Sequence, residues 1–116
     1  MNKRKILIYI AGPYSGDIKE NIIKARNASI KIWNSGFTGV CPHMNTAHFE
    51  IDCKCDYQDY LEGDMEILKR CDGIFMLKDW MLSKGAREEH DLADARDMPI
   101  FYEADRGYED LLIYDW

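Results

Sequence analysis

The sequence predicts an α/β fold of three layers, with helices on both faces of a mostly parallel sheet of four to five strands. Three observations predict it. Short apolar runs rich in β-branched residues recur along the chain. Amphipathic segments of helical period separate them. Gly, Pro, Asn and Asp punctuate the joints. Strands that alternate with helices join in parallel and bury both faces of their sheet.

Lys5 to Ala11 (KILIYIA) has the continuous apolar pattern of a buried strand. Gly12 to Gly16 (GPYSG) is a turn. The first long helix spans Asp17 to Asn34, with Ile22, Ala25, Ala28, Ile32 and Trp33 near one face. Gly36 takes the position after its end. Phe37 to Cys41 is a second strand, and Pro42 to Asp56 a long, polar, irregular loop of the kind that carries function. A second long helix covers Tyr57 to Arg70, a third strand Gly73 to Leu77, and a loop Asp79 to Lys84. A third long helix covers Gly85 to Arg96 and a fourth strand Pro99 to Tyr102. Tyr108 to Trp116 is a short tail compatible with a helix.

The chain has 116 residues, the size of one domain spanning 1–116. Its net charge of −6 disfavours nucleic-acid polymers, which are held mainly by Lys and Arg. A small anion can still rest on the N–H groups of a helix start. The first residues, MNKRKILIYIAG, have the look of a leader, but the apolar run is short and meets Gly12-Pro13 at once, so it reads as a strand. No apolar stretch approaches the roughly 18 residues of a membrane span. The expectation is a cytoplasmic protein with reduced cysteines. Cys41, His43, His48, Cys53 and Cys55 crowd one loop, but their C-x-H, H-x₄-C and C-x-C spacings match no common zinc pattern. The expectation is no metal and no cofactor, with ordinary thiols and a histidine bonded to backbone or substrate.

In parallel sheets ligands sit beyond the carboxyl ends of the strands. Two acids near that edge interrupt apolar stripes. Glu89 has Gly85, Ala86, Leu92 and Ala93 as its i−4, i−3, i+3 and i+4 neighbours. Asp64 has Tyr60, Leu61, Ile67 and Leu68. Burying a carboxylate without a partner is expensive, so either acid bonds a backbone N–H or a buried tyrosine, or the chain uses it. Two carboxylates in one pocket suit glycosidic chemistry: one attacks the anomeric carbon, the other handles the leaving group's proton. His90, adjacent to Glu89, points about 100° away and reads as a surface group.

Three phrases resemble the nucleoside 2-deoxyribosyltransferase superfamily, especially its small phage and bacterial members of unassigned function. Tyr9-Ile-Ala-Gly12-Pro-Tyr14-Ser15-Gly16 resembles its first strand and turn. Gly63-Asp64-Met-Glu-Ile-Leu68 followed by Cys71-Asp-Gly-Ile74 resembles its middle segment. Ser83-Lys-Gly85-Ala-Arg-Glu-Glu89 resembles its S-x-G-x-x-x-E motif. The resemblance implies a flavodoxin-like or Rossmann-like fold, a homodimer or larger assembly, and a covalent glycosyl-enzyme intermediate. It implies Glu89 as nucleophile, Tyr9 orienting it, Asp64 as general acid, and Ser83 and Gly85 binding a 5′-phosphate or 5′-hydroxyl. His90-Asp91 after Glu89 departs from the pattern, as does a short C-terminal segment, a region that the family's transferases use from a neighbouring subunit.

The chemistry asks for an ionised Glu89, its charge held by Tyr9 and the helix start, and an Asp64 whose pKa is raised. Ser15 and Gly16 at the first turn would assist the phosphate, with Lys84 and Arg87 as further charges, and Gly12 is expected among the substrate-binding residues. His43, Asn45 and Thr46 offer edges to a nucleobase, and Tyr14 and Trp80 faces on which it could stack. Glu103 to Trp116 is expected to be a packed lid, a dimer contact or a solvated end. The leading expectation is hydrolysis of a nucleoside 5′-monophosphate to free base and sugar phosphate. Base exchange by a 2-deoxyribosyltransferase is the first alternative, and a non-catalytic nucleotide sensor or sponge the second.

Overall fold

The computed structural model describes residues 4–116. Residues 1–3, the start of the segment weighed as a leader, lie outside the described residues.

Four strands form an all-parallel sheet in the order β2-β1-β3-β4. They are β1 (Leu7–Ala11), β2 (Thr38–Val40), β3 (Gly73–Met76) and β4 (Ile100–Tyr102). The helices are α1 (Ile18–Asn34), α2 (Pro42–Asn45), α3 (Tyr57–Lys69), α4 (Lys84–Ala95) and α5 (Gly107–Ile113). The expected α/β architecture is present, with four strands and every pairing parallel. Among the described residues no helix is long and apolar enough to cross a membrane.

Side-chain alternation along the central strands divides the core. Ile8 and Ile10 of β1 and Phe75 of β3 pack with Ala25, Ala28 and Ile32 of α1 and Leu111 of α5. Tyr9 and Ala11 point the other way and join Ile74, Met76, Leu68 of α3, and Ala86 and Ala93 of α4. Asp17 caps α1 by accepting from the Glu20 N–H, and Gly36, at φ +96°, turns the chain after it.

Three expectations need correction. The Pro42–Asp56 segment is not one irregular loop. It holds α2, which Pro42 starts because a first-turn residue needs no N–H and a fixed φ suits it, and a 3-10 turn over Phe49–Ile51. Trp33 does not belong to the inward face of α1 and is 54% exposed. The Glu103–Trp116 tail is not a wholly solvated end: Leu112 to Trp116 are exposed, but Trp116 packs on Phe37, Phe101 and Tyr114, and its indole N–H donates to the Leu111 carbonyl at 3.1 Å.

Strand order reverses beside β1. The chain leaves β1 through α1 to β2 on one side, then returns to β3 on the other. A crevice opens at such a switch point, beyond the carboxyl ends of β1 and β3.

Candidate active site

A cavity of about 650 Å³ occupies that crevice, within the size range of small-molecule sites. Gly12 to Ser15 after β1 form one wall, α3 and the start of α4 another, and Pro42, His43, Thr46 and Glu50 a third.

The parity of β1 sends Tyr9 toward α4. Its ring is fully buried, and its hydroxyl donates to Oε2 of Glu89. Glu89 lies between Ala86 and Ala93 on the inward face of α4 and is only 8% exposed, yet it still borders the cavity. The acid that breaks the apolar stripe is therefore both partnered and accessible to a ligand.

Asp64 lines the same cavity from α3, half-buried. Burial pushes its pKa up to about 6. Glu89 is pushed further, to about 8, first by burial; the Tyr9 hydroxyl opposes the rise, while the Asp64 and Glu88 charges add to it. Glu89 therefore departs from the freely ionised state the chemistry suggested, because the Tyr9 hydroxyl does not offset its desolvation.

The start of α4 faces the cavity. Ser83 caps it, its Oγ accepting from the Ala86 N–H at 3.1 Å. The Lys84 and Gly85 N–H groups belong to the first turn, where no intrahelical acceptor exists, so they can hold an anion. Gly85 leaves room beside this point for the Tyr57 hydroxyl, which would sit 3.0 Å from an added Cβ. Gly12 is needed for a different close approach, since a Cβ there would lie 2.6 Å from Leu77 Cδ1.

Tyr14 ties two walls together. Its hydroxyl donates to Glu50 Oε1 at 2.9 Å and accepts from the His48 N–H at 2.7 Å. Its ring meets His43 edge-on at 5.8 Å. His43 is buried, and its Nε2–H donates to the Pro13 carbonyl at 2.7 Å. That bond leaves Nδ1 as a bare acceptor, buried and without a partner, and burial lowers the ring's pKa.

Of the expected site residues, Glu89, Asp64, Gly12, Tyr14, Ser15, His43, Ser83 and Gly85 all border this cavity, and Tyr9 stands behind Glu89. Two do not. Asn45 is exposed at the end of α2, away from the cavity. Trp80 stacks on His90 at 4.5 Å with 18° between ring planes. His90 is thereby corrected as well: it is not a surface group, since its Nε2 bonds the Tyr102 hydroxyl at 2.8 Å and only 18% of its side chain is exposed. Arg87 is turned away from the cavity, donating to the Met81 carbonyl at 2.7 Å, and Lys84 leans toward Glu88 at 3.7 Å. No residue of the 103–116 tail lines the cavity, so it is no lid over this site.

Sequence reasoning missed Glu50, Cys55, Tyr57 and Leu82 in the lining. Tyr57 was detectable, because Tyr57, Tyr60, Leu61 and Asp64 follow the i, i+3, i+4, i+7 rhythm of one face of α3. Among the described residues no three His, Cys, Asp or Glu side chains gather in a way that could hold a metal ion.

Among solved structures, the chain is similar to a 2-deoxyribosyltransferase from Bacillus psychrosaccharolyticus, with a TM-score of 0.70 and 19% identity over 95% of this chain and 93% of that one. It is also similar to a conserved protein from Enterococcus faecalis V583, at 0.65 and 20% over 85% of this chain and 63% of that one. A 2-deoxyribosyltransferase from Leishmania mexicana matches at 0.59 and 19%, over 84% and 63%. At these identities the likeness is one of fold. No curated protein matches at the sequence level. A family model does match, over residues 6–102, and by it the chain belongs to DUF4406, a domain of unknown function.

Proposed function

We propose that this protein hydrolyses the N-glycosidic bond of a nucleoside or deoxynucleoside 5′-monophosphate through a covalent glycosyl-Glu89 intermediate. The observation that carries this reading is a pair of carboxyl groups with raised pKa values on one cavity, one of them held by a buried tyrosine. In the reaction a Glu89 oxygen bonds to C1′ as the bond from C1′ to the base nitrogen breaks. Asp64 gives its proton to the departing base. Asp64, now a carboxylate, takes a proton from water as that water attacks C1′ and frees Glu89. Glu89 and Asp64 titrate as a pair, and the productive form holds the proton on Asp64 and the charge on Glu89. Developing positive charge at C1′ favours the Glu89 anion once the sugar is seated.

The phosphate would rest on the N–H groups of Lys84 and Gly85, beside Ser83 and Ser15. The base would lie between Tyr14 and the His43–Thr46 wall. A homodimer or larger assembly is part of the proposal. Leu82, 82% exposed at the cavity's edge, and the adjacent Met81, 66% exposed, are the apolar surface that such a contact would cover.

A second reading, transfer of 2-deoxyribose between bases, is favoured by the fold shared with 2-deoxyribosyltransferases. One experiment tests both. Deoxynucleosides and their monophosphates are incubated with the protein and free base is followed by chromatography, with and without a second base. Steady release of base supports hydrolysis, and exchange products identify a transferase. No base release together with tight ligand binding would leave a nucleotide sensor. Quenched intact mass and peptide mapping should place a sugar adduct on Glu89, and an adduct elsewhere would overturn the assignment.

A further inference from the structure

Cys53 and Cys55 flank Lys54 between the Phe49–Ile51 turn and α3, and Cys55 contributes to the cavity wall. Both are free thiols, and their sulfurs lie 2.7 Å apart. An S–S bond is about 2.05 Å long, so the pair is unbonded, with its two thiols in hydrogen-bond contact. Both flanks of the pair are anchored. The Cys53 N–H donates to the Phe49 carbonyl at 2.7 Å. Just after Cys55, Asp56 caps α3 through reciprocal bonds with Asp59. Neither cysteine belongs to the hydrophobic core, and the proposed reaction uses neither.

We propose that Cys53 and Cys55 form a reversible dithiol–disulfide site at the rim of the cavity, closed by exchange with a low-molecular-weight disulfide. The site does not depend on the glycosidic reading. The chemistry around the two sulfurs separates their roles. The Cys53 thiol donates to the Cys55 sulfur, and the contact between the two lowers the pKa of Cys53 while raising that of Cys55. Cys53 is thus the attacking sulfur and Cys55 the resolving one.

In the first step the Cys53 thiolate bonds to one sulfur of glutathione disulfide, whose S–S bond breaks and releases one glutathione thiolate. In the second the Cys55 thiolate attacks the Cys53 sulfur of the mixed disulfide and releases the other. The protein loses two electrons and two protons, and both pairs end on two glutathione molecules. A ring closed across a single intervening residue in an exposed segment belongs to the labile class of disulfides, which reduce readily.

The test uses the full chain with excess glutathione disulfide, then alkylation, intact mass and peptide mapping. The expected product is lighter by two hydrogens, linked between Cys53 and Cys55, and restored by dithiothreitol. Cys55→Ser should stop at a glutathione adduct on Cys53. Closure should be at least roughly tenfold faster in the folded chain than in urea, where the anchors are lost. The proposal is overturned by a wild-type chain that accumulates the mixed disulfide without closing, by a link through Cys41 or Cys71, by no reaction, or by equal rates in both states. Thermal melts of Cys55→Ser confirm that the variant is folded, and Cys53→Ser provides the converse control, in which Cys55 should react slowly.

Discussion

The Tyr9 hydroxyl, on the central strand, donates to the Glu89 carboxylate on the second turn of α4, across 80 positions of sequence. A hydrogen bond to a charged group is worth about 1.5–3 kcal/mol. Because Tyr9 is the one influence pulling the Glu89 pKa down, Tyr9→Phe should raise that pKa further. The expected result is a loss in kcat/KM of roughly ten- to a hundredfold at neutral pH, with the ionisation of Glu89 moved to higher pH. An unchanged pH profile would show that the bond is only structural.

Glu89→Gln should separate chemistry from stability. Activity should fall by on the order of 10³ or more, because an amide does not form the glycosyl ester. Stability should move the opposite way. The folded chain keeps a proton on Glu89 up to about pH 8, whereas the unfolded chain releases it near 4.5. Between those values the native state binds more protons, so wild-type stability falls as pH rises, by on the order of 5 kcal/mol in all. Glutamine removes that loss. The variant should melt above wild type at pH 8, and the difference should shrink toward pH 5. A difference in melting temperature that does not depend on pH would contradict a buried, proton-holding Glu89.

Glu89 was legible in the sequence because an acid among Gly85, Ala86, Leu92 and Ala93 violates a helical pattern that the structure confirms as inward-facing. The sheet and long helices were legible for the same reason, since each has enough residues to display a period. Most misses lie where it does not, and Trp33 of α1 and His90 of α4 are single positions on long helices. In α2 and the Trp80–Leu82 turn only a few residues set each direction, and the partners are distant in sequence. His90 gave no local sign that Trp80 and Tyr102 would enclose it. Asn45 sits at the end of one short turn, and one residue of phase moves it from cavity to solvent.

Gly85→Ala should be tolerated by the fold and resisted by the ligand. The added Cβ meets the hydroxyl of Tyr57, the mobile end of a side chain that is 54% exposed. Alanine also favours a helix over glycine by roughly 0.5–1 kcal/mol. Melting temperature should hold or rise slightly. The methyl group intrudes on the first turn of α4, so KM for a monophosphate should rise by about tenfold while that for the free nucleoside changes less. Equal changes for both would move the phosphate away from this helix start.

Asn45 and Trp80 should give contrasting results. Asn45→Ala should leave KM within about twofold, because its side chain lies outside the cavity. Trp80→Ala should lower stability by roughly 1–3 kcal/mol through loss of its stack on His90, with little change in KM at a temperature where the variant is folded. A large KM effect without destabilisation would return Trp80 to the base-binding wall.

The pH dependence of kcat/KM follows from the two carboxyl groups. Below about 6 both are protonated and no nucleophile exists. Above about 8 both are ionised and the leaving base receives no proton. Between these values the pair carries a single proton and the productive tautomer is a fixed fraction of the whole, so the profile should be a bell with limbs near those values. The limbs belong to the pair and not to one residue each. Asp64→Asn removes the repelling charge, so the remaining ionisation, that of Glu89, should move down from about 8. The alkaline limb, which needed the acid, should disappear for substrates whose base departs without protonation. A wild-type profile flat from pH 5 to 9 would mean that the two groups do not share the chemistry.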